Sequence, residues 1–151
     1  MAAVVIAATI VVFGLTAVSH APYHTQPAPP APQAQAADVK TQVQTAVTHS
    51  GFAADGTSLS YVQQHLGHTV NCLEGTRGKN FNQSWGHVCQ GQGNGILVDL
   101  KTASGGAALM LVAESADGLA LNGVKSKDLA EAKVAAKGVA ALLKVSAENL
   151  K

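Results

Sequence analysis

All five prolines of this 151-residue chain fall between Pro22 and Pro32, and none follows. Proline lacks the amide hydrogen that a helix or strand needs, and it turns the residue before it away from helix. Residues 22–37, PYHTQPAPPAPQAQAA, therefore read as a semi-rigid Ala/Pro-rich linker. Everything from Asp38 onward is free to build long, uninterrupted helices.

Charge divides at the same boundary. All ten Lys and Arg and all nine Asp and Glu lie at or beyond Asp38. Charged residues make up 13% of the chain, against about 25% in an ordinary soluble domain. The formal net charge of +1 excludes a disordered polyelectrolyte. With no basic excess to displace counterions from phosphate, no nucleic-acid partner is expected.

Residues 2–18 are apolar apart from Thr9, Gly14 and Thr16, and Ser19-His20-Ala21 puts small residues at the minus-three and minus-one positions of a cut after Ala21. That is the pattern of a secretory signal peptide over residues 1–21, although no Lys or Arg precedes the apolar core. The alternative is an uncleaved anchor, since the run sits at the short end of the roughly 17–25 residues that cross a bilayer. Both readings export the protein, to the periplasm or beyond. Contact with membrane is expected only through the N-terminal segment, if it stays attached.

Residues 38–151 are expected to form one all-α domain with four helices. The first covers about Asp38 to His49, with Asp38 as N-cap and Val39, Val43, Ala46 and Val47 on one stripe, and Gly51 plus Asp55-Gly56 is expected to break it. The second starts near Thr57-Ser58 and carries Leu59, Val62, Leu66, Val70 and Leu73. The third, Ala107 to Leu121, is expected to end at Asn122-Gly123 in a left-handed cap. The fourth, Lys127 to Asn149, is expected to be capped by Ser126. Short connections between amphipathic helices make an antiparallel four-helix bundle the expected architecture.

A long segment without helical period, Glu74 to Leu100, joins the second and third helices. Cys72 and Cys89 are the only cysteines, and in an exported protein such a pair is expected to form a disulfide stapling this loop. The glycines Gly91, Gly93 and Gly95 lack the spacing and the Lys-Ser/Thr of a phosphate-binding loop and read as a tight turn.

The histidines carry the main chemical signal. On the second helix, at about 100° per residue, Tyr61, His65, His68 and Cys72 form a narrow band apart from the apolar stripe. His65 and His68, three residues apart, can reach one ion, with His49 or His87 as the third ligand. Neutral imidazoles suit Cu, Ni or Zn. The plainer reading is that the pair hydrogen-bonds the overlying loop. The absence of Cys-x-x-Cys-His excludes covalently attached haem, and no acid, base and nucleophile converge in the sequence. An enzyme would need a pocket formed by Asp99, His87 and Trp85.

The runs Asn71-Cys72-Leu73-Glu74-Gly75, Gly78-Lys79-Asn80-Phe81, Trp85-Gly86 and Cys89-Gln90-Gly91-Gln92-Gly93-Asn94-Gly95, continued in Gly123-Val124-Lys125-Ser126 and the last helix, resemble small uncharacterised exported bacterial helical-bundle proteins. The resemblance implies a periplasmic or surface-exposed helical domain and carries no activity. In general plan the chain is also similar to small periplasmic metal-binding helical proteins, whose histidines are denser and repeated. Two functions are therefore expected: an exported binding or structural bundle without catalysis or resident cofactor, or a periplasmic protein that binds Cu, Ni or Zn. No protein partner is indicated.

Overall fold

The computed structural model of the protein describes residues 38–150. The signal or anchor segment, the linker and Lys151 lie outside the described residues. Five helices follow in order: α1 (Val39–Asp55), α2 (Leu59–Glu74), α3 (Ile96–Asp99), α4 (Gly106–Lys125) and α5 (Leu129–Asn149). A single 3-10 turn, Gln83–Trp85, precedes α3, and no strand occurs among the described residues. The four expected helices are α1, α2, α4 and α5, while α3 lies inside the segment read as loop.

Capping chemistry sets the helix starts. The Asp38 carboxylate accepts from the Thr41 amide at 3.0 Å, and the Ser58 hydroxyl from the Tyr61 amide at 3.3 Å. Three boundaries differ from expectation. First, α1 runs through Gly51 to Asp55. One glycine inside a helix costs about 1 kcal/mol, and continuing the helix buries Ala53 completely. The chain turns at the second of the expected breaks, Asp55-Gly56, where a Cβ added to Gly56 would stand 2.7 Å from the Val62 side chain.

Second, α4 passes through Asn122-Gly123 without a left-handed cap and ends at Lys125. Gly123 is there for proximity: a Cβ on it would come within 2.5 Å of Leu66 and 3.0 Å of Ala135. Third, Asp128 and not Ser126 caps α5, accepting from the Glu131 amide at 2.9 Å. The Ser126 hydroxyl accepts from the Asp128 amide and so shapes the turn one step earlier.

The four long helices contact one another in a closed ring. α1 packs on α2, α2 on α4, α4 on α5 and α5 on α1, and α2 touches α5 across the middle. The inward stripes hold Val43, Val62, Leu66, Val70, Leu73, Val139 and Leu143 against Ala46, Ala113, Ala116, Ala120, Ala132 and Ala136, all fully buried. Small residues facing larger ones bring the helix axes close and leave little void. Helix α4 is long and apolar enough to cross a membrane by length and composition only. It packs on α2 and α5, burying Leu109, Ala113, Ala116 and Ala120 and leaving Leu111 exposed.

Polar side chains tie the connecting segments down. Gln63 donates to the Val124 and Ser126 carbonyls at 2.8 and 2.9 Å, satisfying acceptors left free at the end of α4. Buried Gln42 donates to the Asp99 carboxylate at 2.8 Å and accepts from the Gly95 amide at 3.1 Å. Asp99 also accepts from the Asn94 amide and side chain, at 2.8 and 2.9 Å. This cluster holds α3 and the glycine turn against α1. The end of α2 packs against this turn and requires glycine at Gly75, whose φ is 65° and whose Cβ would strike the Asn94 carbonyl.

Candidate metal centre

The site begins with the hairpin of α1 and α2. His49 lies seven residues before Gly56, and His65 lies seven after Ser58. At about 1.5 Å of rise per residue the two stand at the same height on neighbouring helices. His68, one turn beyond His65, shares its face of α2. The hairpin thus brings three imidazoles together. His49 Nδ1 is 3.0 Å from His65 Nδ1 and 3.0 Å from His68 Nδ1. One ligand atom from each residue lies within 4.8 Å of the others.

Aromatic rings surround the trio. Phe52 meets His49 and His65 edge-on, with centroids 5.6 and 5.3 Å away, and Tyr61 lies 4.4 Å from the His65 ring. A shallow recess of about 270 Å³, lined by Phe52, Asp55, Gly56, Thr57 and Tyr61, opens beside them.

Electrostatics keep the rings neutral. Burial pushes the His49 imidazolium down to a pKa of about 4, and the neighbouring His68 and His65 add to the effect. Burial, followed by His68, also lowers His65. Burial lowers His68, and the Trp85 backbone carbonyl nearby partly opposes it. Three neutral imidazoles with converging nitrogens are a donor set for a transition-metal ion.

The remaining candidates go elsewhere. Burial lowers the His87 pKa, and its ring packs edge-on against Phe81 at 5.3 Å, outside the gathered trio. Cys72 and Cys89 are joined as a disulfide and no free cysteine remains. The disulfide is compatible with an oxidising extracellular compartment. Of the residues considered for catalysis, Asp99 is engaged by Gln42 and Asn94, and Trp85 packs on α2 at Gly67. A larger recess of about 550 Å³, bounded by Leu119, Ala130, Glu131, Val134, Ala135 and Gly138, is almost wholly apolar and offers no group of converging donors.

Sequence reasoning left His49 and His87 as equal third partners. Ending α1 near His49 hid the hairpin count that selects it, which needs the helix to run on to Asp55. Two further participants had no sequence signal: Gln64, whose amide lies 3.2 Å from His68 Nε2, and the Trp85 backbone carbonyl, which accepts from that amide at 2.6 Å. Buried Glu74 and partly buried Asp117 form another polar pair. Desolvation, then the Glu74 charge and a hydrogen bond to Glu74, push the Asp117 carboxyl up to about 7.

Comparison with known protein families, curated proteins and solved structures gives no match for the chain.

Proposed function

We propose that this is an exported transition-metal-binding protein, built as an antiparallel four-helix bundle, in which His49, His65 and His68 hold one ion without catalysis. The observation that carries this reading is the convergence of three imidazoles from two helices, with His49 Nδ1 3.0 Å from the Nδ1 of both His65 and His68. With metal–nitrogen distances of about 2.0–2.1 Å, that spacing corresponds to nitrogen–metal–nitrogen angles of roughly 95° between His49 and each of the other two. Angles near 90° favour the square-planar or octahedral preferences of Cu(II) and Ni(II) over the tetrahedral preference of Zn(II).

Start-to-end pairings support the antiparallel arrangement. Lys40, at the start of α1, donates to the Leu150 carbonyl just past α5 at 3.0 Å, while Gln63, early in α2, reaches the end of α4. Export is supported by the apolar segment 2–18 and by the disulfide.

Calorimetric titration of the oxidised protein with Cu(II), Ni(II) and Zn(II) tests the reading. One ion per chain is expected, with Cu(II) and Ni(II) bound more tightly than Zn(II), and the His65→Ala/His68→Ala double variant should lose binding. The depressed histidine pKa values mean that protons compete weakly. Affinity should therefore hold as the pH falls through 6.5, where ordinary histidines protonate, and fail toward pH 4. No heat with any of the ions, or binding unchanged in the double variant, leaves a binding or structural bundle in which the trio is only a hydrogen-bonded cluster.

A further inference from the structure

The proton on His68 lies on the wrong nitrogen for ligation. The Gln64 amide nitrogen is 2.6 Å from the Trp85 carbonyl, which fixes the orientation of the amide because only its NH2 end suits a carbonyl oxygen. The same nitrogen faces His68 Nε2 at 3.2 Å and donates to it. His68 Nε2 is therefore the acceptor nitrogen of a neutral ring, and its proton sits on Nδ1, donated to His49 Nδ1 at 3.0 Å. An ion bound by Nδ1 requires the other tautomer, with the proton on Nε2 and a carbonyl or carboxylate to receive it.

That acceptor is already in place. The Trp85 carbonyl and His68 Nε2 meet the same Gln64 nitrogen, at 2.6 and 3.2 Å, so the carbonyl lies beside that face of the ring, and the loop that carries it is held from several sides. Asn71 donates to the Asn82 and Gly86 carbonyls at 2.8 and 2.6 Å and accepts from the Asn82 amide at 2.9 Å. The indole of Trp85 rests against Gly67, where a Cβ would come within 2.5 Å of the ring. The Cys72–Cys89 disulfide closes the same loop.

We infer that Gln64 is a latch on the metal site: it holds His68 in the tautomer that cannot ligate and occupies the Trp85 carbonyl that the ligating tautomer needs. Metal capture then proceeds with the Gln64 amide swinging off the carbonyl, the His68 proton passing from Nδ1 to Nε2 through water, and Nε2–H donating to Trp85. No proton is lost in this exchange and no bond to carbon changes. Gln64 is a positioning residue and never touches the ion. The inference rests on the metal-binding reading above.

Opposite signs test it. Gln64→Ala removes the latch and should tighten Ni(II) binding about 10-fold. Gln64→Glu supplies a carboxylate acceptor for Nε2–H and should tighten it by a similar factor or more. Gly67→Ala pushes the Trp85 loop away without altering a ligand and should weaken binding about 10-fold, while helical circular dichroism stays unchanged. In the metal-free protein, the ¹⁵N shifts of His68 should report Nδ1–H, moving toward Nε2–H in Gln64→Ala. If the unsubstituted protein binds Ni(II) through His65 and His68, yet the Gln64 variants bind no more tightly and the ¹⁵N shifts do not move, the latch is overturned while the metal site stands. If the unsubstituted protein binds no ion, the metal reading itself fails, and unmoved ¹⁵N shifts in metal-free Gln64→Ala would then reject the latch independently.

Discussion

Asp117 shows how one residue in a helical core shifts a whole stability profile. Its carboxyl sits beside Glu74, and its Oδ1 is buried with no hydrogen-bond partner. Desolvation and the Glu74 charge together raise its pKa to about 7 from 3.8. A carboxyl raised in the folded state favours folding while it is protonated, and that advantage is lost as the pH rises through about 7. His49 works in the opposite direction. Its pKa falls from 6.5 to about 4, so its contribution is present above 6.5 and is lost as the pH drops toward 4. Asp117→Asn keeps a donor toward Glu74 and cannot ionise. It should be more stable than the parent protein at pH 8, with the advantage disappearing toward pH 4, as read by urea unfolding at each pH. Equal stability at pH 8 would mean that folding does not raise the Asp117 pKa. None of this was legible beforehand. Nothing in the spacing around Asp117 marks it, and only the end of α2 coming alongside sets it beside Glu74.

At the level of the element, the helices were legible and their ends were not. The three- and four-residue recurrence of Leu, Val and Ala marks the buried stripe of each long helix, because a helix repeats about every 3.6 residues. Every Leu and Val expected on the stripe of α2, apart from Leu59, is fully buried. Gly51 has open space where a side chain would stand and is simply carried within α1, whereas Gly123 misled because glycine has two uses and sequence alone does not say which applies. It ends helices by adopting positive φ, and it also lets another helix approach. Among the described residues neither shows a positive φ. The two cases separate under mutation. Gly118 in α4 has open space around it, so Gly118→Ala should stabilise by about 0.5–1 kcal/mol through helix propensity. Gly123→Ala, on the same helix, puts a methyl within 2.5 Å of Leu66. It should cost about 1–3 kcal/mol, because overpacking exceeds the propensity gain. Thermal unfolding of the two variants side by side reads this difference, and equal shifts would remove close approach as the reason for Gly123.

Across the whole molecule, the long middle segment behaves as part of the fold. Cys72 and Cys89 are 17 residues apart, and closing such a loop contributes about 3 kcal/mol in the chain-entropy account. The Cys72→Ala/Cys89→Ala variant should unfold at correspondingly lower denaturant, and the purified oxidised protein should show no reactive thiol in guanidinium. Two free thiols there would contradict the pairing. The segment also carries α3, the Asp99 cluster and the Trp85 carbonyl, so it forms one wall of the candidate site.

The sequence by itself determined the helix start capped by Asp38, the all-helical class, the inward faces and the pairing of the only two cysteines. Each follows from local chemistry: proline and charge distribution, apolar recurrence, and the absence of any other thiol. Tertiary structure alone decided that His49 joins His65 and His68, that His87 packs with Phe81 instead, and that Gln64 and the Trp85 carbonyl face His68. Periodicity reports which side of a helix avoids water. Which polar groups meet depends on the height and rotation of one helix against the next and on the path of a loop, and those are set by packing between residues far apart in the chain.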